Sequence, residues 1–277
     1  MKHLNTYITE YIIKKKLDNP IDSSGYKYQP TNKEKLISTI KLLLAENKTN
    51  FNCIDTSEIT DMSNLFNGVK DTDKLNFDVS NWDVSKVKNM SNMFNGRYKF
   101  DCDLSNWDVS NVENMSTMFY NCEKFEGKGL ENWDVSKVKD MSNMFHWCLK
   151  FDCNLSGWDV SKVENMDNMF CLTPFTGKGL EKWNVSNVYN MRGMFHGCNE
   201  FDCDLSNWDV SNVIDMEGMF RGCKKFKGKG LDNWNPVNLK IIRAMFNDCD
   251  MKDKPTWFYD KCYKNKKKSN INYNSFF

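Results

Sequence analysis

No stretch of this 277-residue sequence is apolar for long enough to cross a bilayer, which takes about 20 consecutive apolar residues in a helix. The opening MKHLNTYITEYIIKKKLDNP also lacks an apolar run followed by a small-residue cleavage site, so no secretory signal is expected. Net charge is nearly absent, with 38 Lys+Arg against 37 Asp+Glu. No global field therefore draws the chain to nucleic acid or to a membrane. No Ser-His-Asp set, paired-acid site or phosphate loop stands outside the repeat described next, which argues against a hydrolase. Eleven cysteines are present; without an export signal they read as reduced, small apolar core residues rather than a disulfide framework. These absences predict a soluble, non-enzymatic protein without cofactor, in the cytoplasm or a phage particle rather than at a cell surface.

What the sequence has is a repeat. Tryptophans recur at Trp82, Trp107, Trp133, Trp158, Trp183, Trp208 and Trp234, at intervals of 25 or 26 residues. A second marker keeps the same beat: Phe66, Phe94, Phe119, Phe145, Phe170, Phe195, Phe220 and Phe246 close successive Met-x-x-Met-Phe-like units. Self-similarity at such a period marks a solenoid, in which each unit buries its apolar face only against its neighbours. Such a stack offers an extended surface and rarely houses one asymmetric catalytic centre.

Within one copy, Trp107 and Val109 flank Asp108, an alternation that predicts a short strand with the acid turned outward. Met115, Met118 and Phe119 follow at i, i+3, i+4 after Asn114, which predicts one or two helical turns with Asn114 as N-cap. The cap column holds only Asn or Asp: Asn89, Asn114, Asp140, Asn165, Asn190 and Asp215. Two coil types alternate. One carries Phe-Asp-Cys at Phe100, Phe151 and Phe201, and the other Gly-Lys-Gly-Leu at 127–130, 177–180 and 228–231, where glycine suits a tight connection with positive φ.

The flanks complete the expected organisation. Residues 1–30 read as an amphipathic helix (Leu4, Tyr7, Ile8, Tyr11, Ile12) and a linker. Residues 31–53 read as a helical cap opened by the capping box Thr31-Asn32-Lys33-Glu34 ahead of Leu36, Ile37, Ile40, Leu43 and Leu44. The solenoid is expected over 54–250, and a C-terminal cap around Trp257 with a loose basic tail over 251–277. Trp257 falls outside the tryptophan register.

The pattern Met-x-x-Met-Phe-x-x-Cys-x-x-Phe, then Leu-x-x-Trp-Asp-Val-Ser, runs through residues 115–136, 141–161 and 191–211. It resembles the BspA-type leucine-rich repeat of bacterial surface antigens over about residues 54–250. The resemblance implies an α/β repeat: a leucine-rich-repeat-like, right-handed solenoid of about eight coils, with short strands and helical turns. It also implies adhesion or protein binding, and no catalytic residue.

Two columns are candidate sites. His146, Cys171 and His196 follow the Met-Phe pair in three consecutive coils, and His with Cys is a zinc-competent set. The rest of that column is Asn95, Tyr120, Arg221 and Asn247, which favours a variable exposed column without metal. The second column is Asp83, Asp108, Asp134 and Asp159, then Asn184, Asp209 and Asn235. Stacked carboxylates repel one another and suit a cation or a basic partner, while each carboxylate can also serve a local turn at the following serine. Lys128, Lys178 and Lys229, with Asp103 and Asp204 on the coils between, read as a charge ladder for solubility and register. The functional expectation is a binding module whose acidic strand face contacts a protein or a surface glycan. The other expectation is a structural or packaged phage-particle protein held by its N-terminal helix.

Overall fold

In the computed structural model the described residues are 25–67, 69 and 72–268; the expected helix near the start lies outside them. Nine positions of each coil point inward. In the coil from 104 to 125 these are Leu104, Trp107, Val109, Val112, Met115, Met118, Phe119, Cys122 and Phe125, all buried. The equivalents in neighbouring coils are buried as well, so the core is one continuous column along the stack. Phe94, Phe119, Phe145, Phe170, Phe195 and Phe220 stack ring over ring, with centroids 5.5–5.8 Å apart. Such aromatic pairs contribute roughly 0.5–1.5 kcal/mol each beyond their burial.

The backbone joins coil to coil where a helix was expected within each coil. Parallel bridges run Asp61↔Asn89↔Asn114↔Asp140↔Asn165↔Asn190↔Asp215↔Ile241, through the column assigned to helix caps. Past each bridge, alternate N–H groups donate to the next coil: Met115 N to Asp140 O (3.0 Å), Thr117 N to Ser142 O (2.7 Å) and Phe119 N to Met144 O (3.0 Å). Those donors are then unavailable for bonds within a helix. The Met-x-x-Met-Phe unit is instead two successive tight turns. The first is closed by Met118 N to Met115 O (3.2 Å), the second by Cys122 N to Phe119 O (3.0 Å). The third positions of these turns have positive φ, as at Thr117 (59°) and Asn121 (58°), the requirement of a type II turn. Two tight turns point residues 115, 118 and 119 inward just as a helix would, which is why the spacing alone suggested one. The short strand expected at Trp-Asp-Val is likewise not formed: residues 107–109 belong to no strand or bridge.

Tight turns also account for the Asn/Asp columns. Asn114 Oδ1 accepts from Ser116 N (2.9 Å), Asp108 Oδ1 from Ser110 N (3.0 Å) and Asp103 Oδ1 from Ser105 N (3.0 Å). Each is an Asx turn, so three corners of one coil use the same device.

The alternation of coil types is a packing code. A Cβ on Gly127 (φ 90°) would sit 2.8 Å from both Cys153 Cβ and the Phe151 ring in the next coil. One on Gly129 (φ 87°) would lie 2.2 Å from Ser105 N in the coil before. The Gly-Lys-Gly connection is thus clamped between two Phe-Asp-Cys coils and leads into a single 3₁₀ turn. These turns are Leu130–Asn132, Leu180–Lys182 and Leu231–Asn233.

Tryptophans bind the coils through a second device. At the repeat tryptophans from Trp107 to Trp234 the indole Nε1 donates to a backbone carbonyl 28 or 29 residues earlier, as in Trp158 to Leu130 O (2.8 Å) and Trp183 to Leu155 O (3.1 Å). Face-to-face pairs form at Trp107/Trp133, Trp158/Trp183 and Trp208/Trp234, with centroids 6.2–6.3 Å apart. The sequence interval leaves Trp257 outside the register, but the structure places it in the column. Its Nε1 donates to Leu231 O (2.8 Å) and its ring stacks on Trp234 at 6.1 Å.

Helix α1, Lys33–Ala45, buries Leu36, Ile40 and Leu43 against the first coil, the i, i+4, i+7 stripe of an amphipathic helix. Its N-cap is Asn32, whose side chain accepts from Lys35 N, rather than the expected Thr31; Thr31 Oγ1 instead takes Lys35 Nζ (2.8 Å). The helix ends in a Schellman pattern. Asn47 (φ 58°) donates to Leu44 O, and Lys48 to Leu43 O. At the other end, helix α2, Thr256–Lys268, seats Phe258 in the core. The lysines from 261 to 268 continue that helix; the mobile polar end expected after them lies outside the described residues.

Candidate functional site

The Asp column lies where the chain leaves the tryptophan, with every member exposed. Each side chain is held by its own corner: Asp83, Asp108, Asp134, Asp159 and Asp209 accept from the N–H two residues on at 2.9–3.0 Å, and Asn184 does so at 3.1 Å. The Oδ1 atoms are thus committed to turns. The hydrogen bonds from Ser136 and Ser211 hold the Asp134 and Asp209 carboxyls below the usual aspartate value. Where the column begins, Asp83 and Asp108 line a shallow depression of about 300 Å³ with Asn81, Asn106, Trp82 and Val84. Asn106 Nδ2 donates to Asn81 Oδ1 across its floor (3.3 Å).

The His/Cys column has a different character. His146 Nδ1 lies 3.3 Å from Asn143 Oδ1, and its ring meets Tyr120 edge-on at 4.9 Å. Burial lowers the pKa of both His146 and His196. Cys171 is buried, and its thiol is pushed up to about 12 by desolvation. Among the described residues, no three His, Cys, Asp or Glu side chains converge as a metal site would need. The other cysteines carry free thiols. Cys122, Cys148, Cys198 and Cys223 donate from Sγ to the phenylalanine carbonyl of the preceding coil at 2.9–3.1 Å. Thr173 occupies that place in the coil where Phe170 and Phe175 stand five residues apart instead of six, with Oγ1 on Phe170 O (2.7 Å).

Residues 35–129, 107–174 and 170–270 match the family described as "Mycoplasma protein of unknown function, DUF285". The chain belongs to this family. No curated protein matches it. Among solved structures it is similar to the crystal structure of a TLR13–ssRNA13 complex, at 12% identity and a TM-score of 0.29, over 75% of this chain and 38% of that one.

Two lysines of the expected charge ladder form ion pairs between coils in this DUF285 chain. Lys178 meets Asp152 at 2.5 Å and Lys229 meets Asp204 at 3.0 Å. Pairs of this kind contribute ~0–1 kcal/mol each. Among the described residues no helix is long and apolar enough to cross a membrane.

Two surface features were not read from the sequence. Trp147 is 43% exposed although its backbone sits at φ 63°, a conformation costing an L-residue roughly 1–2 kcal/mol. Gly96, Asn121, Gly197, Gly222 and Asp248 fill the same place in other coils, so lining up the turns by register exposes Trp147 and Leu172 as the exceptions. The other feature is a column that changes character along the stack. It reads Lys88, Glu113, Lys139, Glu164, then Tyr189 and Ile214, then Lys240, with Tyr189 45% and Ile214 36% exposed.

Proposed function

We propose that this DUF285 chain is a non-enzymatic recognition module whose acidic column binds a protein segment rich in Lys and Arg. On this reading the stack is wound as a right-handed leucine-rich-repeat solenoid of the BspA type, and its role is adhesion or recognition. The observation that carries the reading is the repetition of a pre-set carboxylate. Asp83, Asp108, Asp134 and Asp159 stand in consecutive coils, each exposed and each fixed by an Asx turn. Like charges at the coil spacing repel one another, a cost that the serine turns outweigh at Asp134 and Asp209, whose carboxyls are held below the usual aspartate value. A partner bearing matching cations relieves that repulsion and loses little entropy from a side-chain set already held in place.

The test is a pull-down comparing the intact chain with Asp108→Lys/Asp134→Lys/Asp159→Lys, at low and at physiological salt. The proposal expects partners that are lost in the variant and weakened by salt. Unchanged partners remove the acidic column from the binding surface. Neutral glycans retained equally by both proteins would direct the recognition to another face.

A further inference from the structure

The surface column that turns from charged to apolar is one of two that share an unusual order. Across four consecutive coils the first reads Glu164, Tyr189, Ile214, Lys240, and the second reads Asp167, Arg192, Glu217, Arg243. Backbone bonds hold the first column straight: Tyr189 N to Glu164 O (2.9 Å), Ile214 N to Tyr189 O (2.8 Å) and Lys240 N to Ile214 O (2.9 Å). The bridges Asn165↔Asn190↔Asp215↔Ile241 run between the two columns and keep them in register. In the second column Glu217 lies 3.6 Å from Arg192 and 3.4 Å from Arg243. Ile241, 38% exposed, extends the apolar centre at one end.

Each column is its own complement when reversed. A two-fold axis in the contact plane, crossing the stack between the Tyr189 and Ile214 coils, sets every column against a copy of itself run backwards. Glu164 then faces Lys240, Tyr189 faces Ile214, Asp167 faces Arg243 and Arg192 faces Glu217, each pair occurring twice. Such an isologous arrangement is the signature of a two-fold homodimer, with an apolar centre inside a charged rim. The corresponding positions of the earlier coils, Lys88, Glu113 and Lys139, have no apolar centre.

We propose that this face, coils 164 to 243, is the contact between two copies of the chain packed antiparallel. The occupant is a second copy because one surface supplies both halves of every pair; an unrelated partner gives no reason for both columns to reverse about the same point. The contact uses columns separate from the Asp83–Asp159 positions and stands whether or not the acidic column binds a basic protein.

Sedimentation equilibrium of the full chain tests it. The expected result is a mass that doubles with concentration. Ile214→Arg, at an exposed position that leaves the core intact, should weaken association at least ~tenfold. Arg192→Glu alone and Glu217→Arg alone each set like charges face to face and should be monomeric, with thermal unfolding confirming that each is folded. Mixed together, these two variants regain opposite charges at both contacts and should form a one-to-one heterodimer. A wild-type chain that stays monomeric, a dimer that survives Ile214→Arg, or single variants that remain apart when mixed overturns the proposal.

Discussion

Phe119 and Tyr120 are neighbours in sequence, yet their columns obey different rules. The phenylalanine column keeps one residue type from Phe66 to Phe246, with successive rings 5.4–5.8 Å apart. One step on, the same coils carry Asn95, Tyr120, His146, Cys171, His196, Arg221 and Asn247. An inward side chain must fit the coil above and the coil below together, so a change in one coil is felt by both neighbours. A side chain that turns away from the stack tolerates variety, even where, as at Cys171, it is covered. Chemical variety therefore belongs to the outward columns, and stability to the inward ones.

The sharpest way to break that contrast is to empty an inward position. Trp158→Ala should cost ~3–5 kcal/mol through lost transfer energy and a cavity. The loss falls on two coil interfaces, so unfolding in urea should also become less cooperative. Trp257→Ala should cost less, because Trp257 is only partly buried and ends the column. Equal losses for the two would mean that the stack does not transmit strain from coil to coil.

Gly129 and Gly96 sharpen the comparison at the backbone. Both have positive φ, but a Cβ on Gly129 meets backbone of the previous coil while one on Gly96 meets open space. Gly96→Ala should cost about 1–2 kcal/mol, the left-handed penalty alone. Gly129→Ala should cost clearly more, with a fall in thermal midpoint several degrees larger. Similar midpoints would place the Gly-Lys-Gly connection outside the packing between coils.

Smaller effects are expected at the cap and on the surface. Asn32→Ala should lower stability by about 1 kcal/mol, whereas Thr31→Ala should change it little; the reverse order would restore the capping box. Asp134→Asn is the mildest change, since Asn184 makes the same Asx turn. The Asp134 pKa is depressed in the folded chain, so its charge adds stability above the ordinary aspartate value of about 3.9. That contribution disappears as pH falls through the folded value. The wild-type chain should exceed Asp134→Asn by under ~1 kcal/mol at neutral pH, and the two should converge in acid. A gap that widens in acid contradicts the assignment.

Much of this was legible from spacing. The 25-residue beat identified the stacked repeat, the inward Trp, Met and Phe positions, the alternating coil types and the serine turns beneath the Asp column. Less legible were features that depend on another coil. The capping box pointed to Thr31, and only the path of the chain into α1 selected Asn32. The reversed order of Glu164, Tyr189, Ile214 and Lys240 is present in the sequence, but it acquires meaning only once the four residues stand in line. Trp147 is hidden for the same reason, because nothing local marks its turn as left-handed.

By itself, then, the sequence determined which side chains point inward and how often the pattern returns, because burial leaves a periodic trace in residue type. Tertiary structure alone decided what the backbone does between those positions. Turns and a helix bury Met115, Met118 and Phe119 equally well. The choice between them rests on whether an N–H finds its acceptor in its own coil or in the next, about 25 residues away. In the stack, Thr117 N finds Ser142 O at 2.7 Å, and the helix gives way to the ladder. Trp257 joined its column by the same logic, through a carbonyl 26 residues back that no local spacing could indicate.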